Sequence, residues 1–443
     1  MTSLKTGSPT KGLVVAAPHS SSGKTTFCLG LAAALKARGL NVQVTKCGPG
    51  YIDPQFLGAA IGQDCYNLDK WAMGTEQMRA RASQISAGAD VFLLEGMMGL
   101  LDGAKGMSGS TADIAADLDL PVVLLIDASG QSQSIIATVY GFVALAKGVK
   151  ICGVVANRVG SERHANMLRE ALEEINIPLL GAVMRSESLT IPSRHLGLVQ
   201  AEEVNTGSRL VEVARKRIES DVDLDALLAR AEAFTPSGKV SPMRPLGQRI
   251  AVAQDVAFRF GYPHLLTDWR QSGAEIEVFS PLADEAPSPS CDAIYLPGGY
   301  PELHARTLAR AGRFFKGLRE AAARGTLIYG ECGGYMVLGR HLIDGNGAPH
   351  RMAGLLDHVT SFETPKLHLG YRVLMPQDAP HWRGPFRGHE FHYSTLHERG
   401  ADAPLFHVED ARGTALGFAG GRRGSVMGSY MHIIDLGPMV WRG

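Results

Sequence analysis

Two short stretches of this chain set residues at spacings that could do chemistry. The first is Pro18-His19-Ser20-Ser21-Ser22-Gly23-Lys24-Thr25-Thr26, between an apolar run from Leu13 to Ala17 and a stretch of helical periodicity from Lys24 to Arg38 that Gly39 ends. A strand, a loop and a helix in that order turn backbone N–H groups and a helix N-terminus toward one point, where phosphate oxygens can sit. Gly23 lets the backbone approach closely, Lys24 brings a positive charge to the outer phosphates, and Thr25 offers a hydroxyl to Mg²⁺. Pro18 stands where G-x-x-x-x-G-K-[ST] has its first glycine. The second stretch is Leu327-Ile328-Tyr329-Gly330-Glu331-Cys332-Gly333-Gly334-Tyr335-Met336. It reads as a strand, a sharp turn and a helix, the layout of a nucleophile elbow carrying cysteine. The helix N-terminus is expected to favour thiolate at Cys332, and the flanking glycines are read as serving the turn rather than the packing.

A thiol needs a base and an oxyanion site. His432, in Gly428-Ser429-Tyr430-Met431-His432, is the candidate base, with His389 and His392 of Gly388-His389-Glu390-Phe391-His392 as rivals. Backbone N–H groups of Gly333 and of Gly299, in the Pro297-Gly298-Gly299 turn, are candidates for an oxyanion hole. On the nucleotide side, segments that leave strand C-termini line the ligand crevice of an open parallel sheet. This directs Lys46 and Asp53 toward the phosphates and makes Glu95, directly after the run Val91–Leu94, a candidate Mg²⁺ ligand. Asn157 follows another such run and is a candidate for the adenine edge, and Arg194 and His195 form a candidate carboxylate-binding pair.

The elements that must hold these residues follow from periodicity. Strands are predicted at 13–17, 41–45, 91–94, 122–126 and 151–156, with helices at 24–38, 76–87 and 134–147, an alternation that implies an α/β, mostly parallel sheet with flanking helices. An exposed helix is expected from Val222 to Ala233, and the Pro-, Ser- and Gly-rich stretch after it marks a linker. The expected domains are 1–234, a linker at 235–248, and 249–443. The last opens with strands at 249–253, 275–279 and 293–296 and a helix at 262–272.

At 443 residues, two domains are the natural expectation. Lys+Arg and Asp+Glu balance at 44 each, which argues against a general electrostatic grip on nucleic acid or an anionic membrane. The six cysteines have neither metal-ligand spacing nor the density of a disulfide scaffold. With no apolar leader at the N-terminus and no run long enough to span a bilayer, a cytoplasmic protein acting on small molecules is expected.

Taken together, Ser-Ser-Gly-Lys-Thr-Thr, Tyr51-Ile52-Asp53-Pro54, Glu95-Gly96-Met97-Met98-Gly99-Leu100, Arg194-His195-Leu196-Gly197-Leu198, Leu296-Pro297-Gly298-Gly299-Tyr300-Pro301-Glu302, Glu331-Cys332-Gly333-Gly334 and Phe391-His392-Tyr393-Ser394 resemble the glutamine-dependent a,c-diamide synthases of corrinoid biosynthesis. The resemblance covers nearly the whole chain. It implies a dethiobiotin-synthetase type of P-loop domain followed by a class I glutamine amidotransferase domain, flavodoxin-like in fold. It also implies a reaction. Glutamine is hydrolysed through a thioester on Cys332, and ammonia passes to a site where ATP and Mg²⁺ activate the c and then the a acetate of the macrocycle. The implied ATP residues are Ser22, Gly23, Lys24, Thr25, Thr26 and Asn157, and the implied Mg²⁺ residues are Thr25, Asp53 and Glu95. Lys46, Tyr51, Asp102, Arg194 and His195 fall to the macrocycle, and a homodimer is expected by analogy with the first domain's type.

Two departures from that family stand out. Many members have aspartate where Gly50 stands, and the usual amidotransferase pattern has glutamate two places after the histidine, where this chain has Ile434. A Cys-His dyad is therefore expected, with Glu390 or Asp435 as candidates to orient His432. The alternatives are amidation of another tetrapyrrole, such as nickel-sirohydrochlorin, cobyric acid synthase activity, or a non-catalytic P-loop scaffold.

Overall fold

The structure is a computed structural model that describes residues 10–186, 193–194, 197–198, 207–235, 237–378, 382 and 384–437. It divides into two compact units, Met1–Val240 and Ser241–Gly443.

The first unit opens with β1 (Lys11–Ala16), α1 (Lys24–Ala37), β2 (Val42–Cys47), α2 (Asp53–Ile61), β3 (Tyr66–Leu68), α3 (Lys70–Ser86) and β4 (Val91–Glu95). It continues with α4 (Thr111–Leu118), β5 (Val122–Asp127), α5 (Ile135–Leu145), β6 (Ile151–Val159), α6 (Glu162–Glu173) and β7 (Leu179–Met184). These seven strands pair in parallel in the order β3-β2-β4-β1-β5-β6-β7. The central strands are apolar runs because helices cover both sheet faces. Leu13, Val15, Leu93, Val123 and Leu125 are buried against α1 and its neighbours, each contributing about 1.5–3 kcal/mol of transfer free energy.

The hairpin β8 (Ser193–Arg194) and β9 (Gly197–Leu198) is followed by α7 (Gly207–Asp221), α8 (Leu224–Arg230) and β10 (Glu232–Ala233). Here the structure departs from the sequence expectation. The exposed helix expected over 222–233 is the short α8, with Leu224 and Leu227 buried, and β10 then pairs antiparallel with the start of β1. The longer α7 packs on α1, so closely that a β-carbon on Gly30 would lie 2.7 Å from the Ala214 carbonyl oxygen. The helix expected over 76–87 follows Gly74, whose non-helical backbone at φ +73° separates it from a short helical turn that begins at Lys70 and is capped by the Asp69 carboxylate accepting the Ala72 N–H.

In the second unit β11 (Arg249–Ala253), α9 (Pro263–Gln271), β12 (Glu275–Phe279), β13 (Ala293–Leu296), α10 (Ala305–Leu308), α11 (Gly312–Ala323), β14 (Leu327–Glu331) and α12 (Gly333–Leu338) form the α/β part. The rest is β-structure that the sequence reading did not separate into elements. It comprises β15 (His341–Ile343), β16 (Pro349–Arg351), β17 (His358–Ser361), β18 (His368–Pro376), β19 (Phe386–His392) and β20 (Thr395–Arg399). Five more strands end it: β21 (Phe406–Asp410), β22 (Ala415–Ala419), β23 (Gly421–Arg423), β24 (Val426–Ser429) and β25 (Met431–Leu436). One sheet runs β12-β11-β13-β14-β24-β23, parallel except at β23, and an antiparallel sheet runs β22-β21-β18-β19-β25. The chain crosses from the first to the second at Tyr430. That crossing carries His432, on β25, to the C-terminal end of β14. Among the described residues, no helix is long and apolar enough to cross a membrane.

Candidate active sites

In the first unit the loop between β1 and α1 holds Gly23 at φ +95°, where a β-carbon would lie 2.4 Å from Asn157 Nδ2. Only glycine fits. Beside it is a cleft of about 540 Å³ lined by Gly23, Lys24, Thr25, Thr26, Lys46, Asp53, Glu95 and Asn157, with Arg158, Val183 and Arg217 farther along. The Lys46 ammonium bridges two carboxylates, at 2.5 Å from Asp53 Oδ2 and 2.8 Å from Glu95 Oε1, and the Thr25 hydroxyl donates to Glu95 Oε1 at 2.6 Å. Burial works to lower Lys46, but Asp53 and Glu95 outweigh it and hold the ammonium well above its usual range. Burial likewise pushes Glu95 up, against the pull of Lys46. Lys24 folds back on the loop, donating to the carbonyls of Met98 (2.6 Å) and His19 (3.2 Å).

These residues fit a hard divalent cation. Two carboxylates and a hydroxyl converge beside a phosphate-type loop, and Glu95 Oε2 is buried with no hydrogen-bond partner among the described residues. The other candidates are placed differently. Ser22 is buried and donates its hydroxyl to the His19 carbonyl at 2.9 Å. Asn157 donates to the Ser22 carbonyl (2.8 Å) and accepts the Arg158 N–H (2.9 Å), so its amide braces the loop. Tyr51 is buried, while Asp102 is exposed and accepts the Gly99 N–H at 2.8 Å in a local turn. Arg194 is in the β8–β9 hairpin, and His195 lies outside the described residues. Asn67 was not singled out from sequence. Its buried side chain donates to the carbonyls of Gly48 (2.8 Å) and Gly50 (2.7 Å) and so pins the loop that carries Lys46 to Asp53.

In the second unit Cys332 joins β14 to α12 at φ +46°, ψ −104°, a backbone conformation that costs a side-chain-bearing residue on the order of 1–3 kcal/mol. Its N–H donates to the Ser429 carbonyl at 2.8 Å, which ties the turn to β24. A β-carbon placed on Gly298 would lie 2.4 Å from His432 Cε1, 3.0 Å from His432 Nε2 and 3.2 Å from Cys332 Cβ. Cys332 Cβ and the His432 imidazole thus flank that glycine, while the thiol donates toward the Phe391 carbonyl at 3.9 Å. The glycines around Cys332 do have a packing purpose, contrary to the sequence expectation. A β-carbon on Gly334 would lie 2.0 Å from the Leu296 carbonyl oxygen, one on Gly330 2.8 Å from the Gly334 backbone, and one on Gly333 2.9 Å from the Gly299 nitrogen. The expected thiolate is also corrected. Burial, helped by the charges of Glu302, Glu331 and Glu390, pushes the Cys332 thiol well above its usual range, against the pull of the Gly333 N–H.

His432 is fully buried, and its Nδ1 donates to the Phe260 carbonyl at 3.1 Å. A carbonyl can only accept, so in the neutral ring the lone pair is on Nε2, the atom on the Gly298 side. Burial, followed by the neighbouring His389, pushes His432 down to about 3. A neutral imidazole beside a protonated thiol is the resting state of a base and its nucleophile. The rival His392 is engaged elsewhere. It donates to the Ser394 carbonyl at 2.9 Å, lies 3.1 Å from Glu390 Oε1 and stacks on Tyr430 with ring centroids 3.8 Å apart. His389 is across the β19–β25 ladder from His432. Glu390, expected as an orienting group, is clasped by Arg372 Nε (2.8 Å) and Nη2 (2.7 Å), and Asp435 accepts the Leu436 N–H at 2.8 Å. The carboxylate that faces His432 Nδ1 is that of Glu331, at 3.8 Å.

A phosphate-type loop with a carboxylate–lysine cluster in one unit, and a cysteine elbow with a neutral histidine in the other, define a nucleotide-binding ligase that carries its own glutamine amidotransferase domain. Comparison with known proteins agrees for both halves. Residues 13–199 match the CobQ/CobB/MinD/ParA nucleotide binding domain, and residues 249–438 match the CobB/CobQ-like glutamine amidotransferase domain. A relative in Brucella anthropi, named hydrogenobyrinate a,c-diamide synthase, is 54% identical over 96% of this chain and 98% of its own length. Relatives of the same name are 50% identical in a Sinorhizobium species (96% of this chain, 99% of the relative) and 48% in Rhodobacter capsulatus (96% and 98%). The chain belongs to the hydrogenobyrinate a,c-diamide synthase family.

Proposed function

We propose that this chain converts the a and c acetate side chains of hydrogenobyrinic acid to amides, with glutamine as nitrogen donor and ATP as activator. The reading assigns residues 1–234 to ATP and macrocycle, 235–248 to a linker and 249–443 to glutamine hydrolysis. What supports it for the second half is the placement of Cys332 Cβ and the His432 imidazole on either side of Gly298; the names of relatives about half identical over 96% of the chain support the choice of ring.

In the glutaminase step His432 Nε2 takes the Cys332 proton as sulfur attacks the carboxamide carbon. The N–H groups of Gly299 and Gly333 hold the oxyanion, and the same proton goes to the departing ammonia, leaving a thioester that water cleaves to glutamate. In the first unit a macrocycle carboxylate attacks the γ-phosphorus of ATP and ADP departs. The acyl phosphate so formed is then opened by ammonia with loss of phosphate. A carboxylate resists ammonia until one oxygen has become such a leaving group. Thr25, Asp53 and Glu95 would hold Mg²⁺, whose charge neutralises phosphate oxygens. Lys24 and Lys46 supply fixed positive charge, and Asn157 holds the loop in shape.

The test offers hydrogenobyrinic acid and cobyrinic acid separately, with ATP, Mg²⁺ and either glutamine or ammonia, and weighs the products. Two amides on the cobalt-free ring support the reading, and two amides only on the cobalt ring would move it to cobyrinic acid. Glutamine hydrolysis with no amide on either ring would favour another tetrapyrrole.

A further inference from the structure

We propose that Glu331 is a positioning residue of the glutaminase site: it fixes the β25 backbone beside His432 and sets a carboxylate 3.8 Å from His432 Nδ1, whose proton goes to the Phe260 carbonyl, as the negative charge against which that ring becomes imidazolium. This rests on the Cys332–His432 reading above. Two places after His432 stands Ile434, fully buried, its carbonyl accepting from His264 Nε2 at 2.8 Å, so β25 offers no carboxylate at that position. The carboxylate near His432 comes instead from β14, from the residue directly before the nucleophile.

Its surroundings hold it in place. Glu331 Oε1 accepts the Ile433 N–H (3.0 Å) and the Tyr329 hydroxyl (3.0 Å), and Oε2 accepts the Tyr295 hydroxyl (2.7 Å) and lies 3.8 Å from His432 Nδ1. The bond to Ile433 anchors Glu331 to the backbone next to His432, so one side chain ties nucleophile strand to base strand. Burial pushes the carboxyl up to about 7, against the three donors that lower it, so its charge is available near neutrality and is poorly screened. Among the described residues, the titratable and charged groups around it besides His432 include Tyr295, Tyr329, Cys332 and Arg244, the last lining the same apolar cavity of about 170 Å³; around the His432 ring they include Tyr262 at 6.5 Å, His389 and His392. That cavity is walled by Trp269, Trp382 and Phe386. An apolar residue would pack there without the cost of a buried charge, which argues that the charge itself is used.

The test compares Glu331→Gln with the parent chain. Expected is a fall in glutamine-dependent kcat on the order of 10²–10³-fold, with KM for glutamine within about two-fold and ammonia-dependent amidation unchanged. The pH of half-maximal labelling of Cys332 by a glutamine-analogue alkylator should rise by about one unit or more, because imidazolium beside the thiolate is no longer balanced. An unchanged kcat and labelling midpoint would overturn the proposal. So would equal loss of both activities with a fall in Tm, which marks a structural role. Glu331→Asp keeps the charge: a parental midpoint with reduced kcat supports the proposal, and a midpoint shifted as far as that of Glu331→Gln overturns it. If His432→Ala still hydrolyses glutamine, the underlying Cys-His reading falls, and this proposal falls with it.

Discussion

The two units place a residue with positive φ at the same point, between a central parallel strand and the helix that follows, and use it in opposite ways. In the first unit the residue is Gly23, which takes that backbone at no steric cost and leaves room for a ligand. In the second it is Cys332, which pays the conformational cost itself and so carries the nucleophile to the edge of the sheet. The electrostatics divide in the same way. Around Lys46 the charges are paired and face a cleft of about 540 Å³, as suits a site that exchanges one counter-ion for another. Around His432 the histidine is neutral and the thiol protonated, and both are buried, as suits a site that creates charge only when substrate arrives. One strand-turn-helix layout thus serves to receive charge or to generate it.

The largest expected effect tests whether these two uses are separable. Cys332→Ala should lower glutamine-dependent amidation by roughly 10⁴-fold while ammonia still supports the reaction, because only the nucleophile is lost. Lys24→Ala should lower amidation from either nitrogen source by about 10²–10³-fold while glutamine hydrolysis persists. Steady-state assays of glutamate release and of amide formation, run side by side, read both variants. Loss of ammonia-dependent amidation in Cys332→Ala would break the division.

A smaller cut is available at Gly298. Its added methyl would meet His432 Cε1 at 2.4 Å and Nε2 at 3.0 Å and so must displace the ring. Gly298→Ala should therefore cost about 10²-fold in glutamine hydrolysis, a loss of the size expected from misplacing a base by a fraction of its hydrogen-bond length. Ammonia-dependent amidation should not change.

Acid separates the units through their histidines, since twelve of the fifteen lie in 241–443. His358 and His389 are pushed down to about 4 and His432 to about 3, all by burial first. The unfolded chain protonates these groups from about pH 6.5 and the folded unit does not, so they destabilise it as pH falls. Burial also pushes Glu331 up to about 7 and Glu302 to about 8. These carboxyls bind protons in the folded unit before the unfolded one and work in the opposite direction down to about pH 4.5. The two sets offset each other down to that pH. Below it the carboxyl contribution stops growing, and Glu390, held down to about 2 by His392 and Arg372 against its burial, adds to the loss. Near-UV circular dichroism of the second unit's tryptophans should therefore be steady from pH 8 to about 4.5 and collapse between about 4.5 and 3, with about 0.7 kcal/mol lost from each of His358 and His389 and about 2 kcal/mol from each of His432 and Glu390.

How much of this was legible in the sequence differs between the units for physical reasons. The P-loop and the elbow are local: an apolar strand, a turn residue and a helix lie within a score of residues, and periodicity finds them. The antiparallel strands from β15 onward are three to nine residues long, with many half-exposed positions, and their pairing is set by partners far away in sequence. That is why Glu331, adjacent to Cys332 in the chain, was not matched to His432: only the β14, β24 and β25 placements bring them together. For α7 a signal was present. Leu210, Ala214 and Ile218 recur every four residues and are buried, but the reading began its helix at Val222, one step further along the same stripe.

The smallest expected effect concerns Gly50, in the loop that leads from Lys46 to Asp53. Gly50 is outside the left-handed region, and the nearest atom to a β-carbon there is Lys46 Cε at 3.9 Å, an ordinary contact. Neither backbone nor packing therefore requires glycine, in contrast to Gly23 and Gly298. Asn67 already fixes the loop through the Gly48 and Gly50 carbonyls, so a new side chain need not move it. Gly50→Asp should fold with unchanged Tm and place a third carboxylate beside Lys46, Asp53 and Glu95. More negative charge at a cluster with one ammonium favours a hard cation. The Mg²⁺ concentration for half-maximal ammonia-dependent amidation should fall by a few-fold, with glutamine hydrolysis unaltered. A rise in that concentration would mean that the added carboxylate pairs with Lys46 instead, making the lysine, rather than the acids, the group that sets the charge this site presents to its ligand.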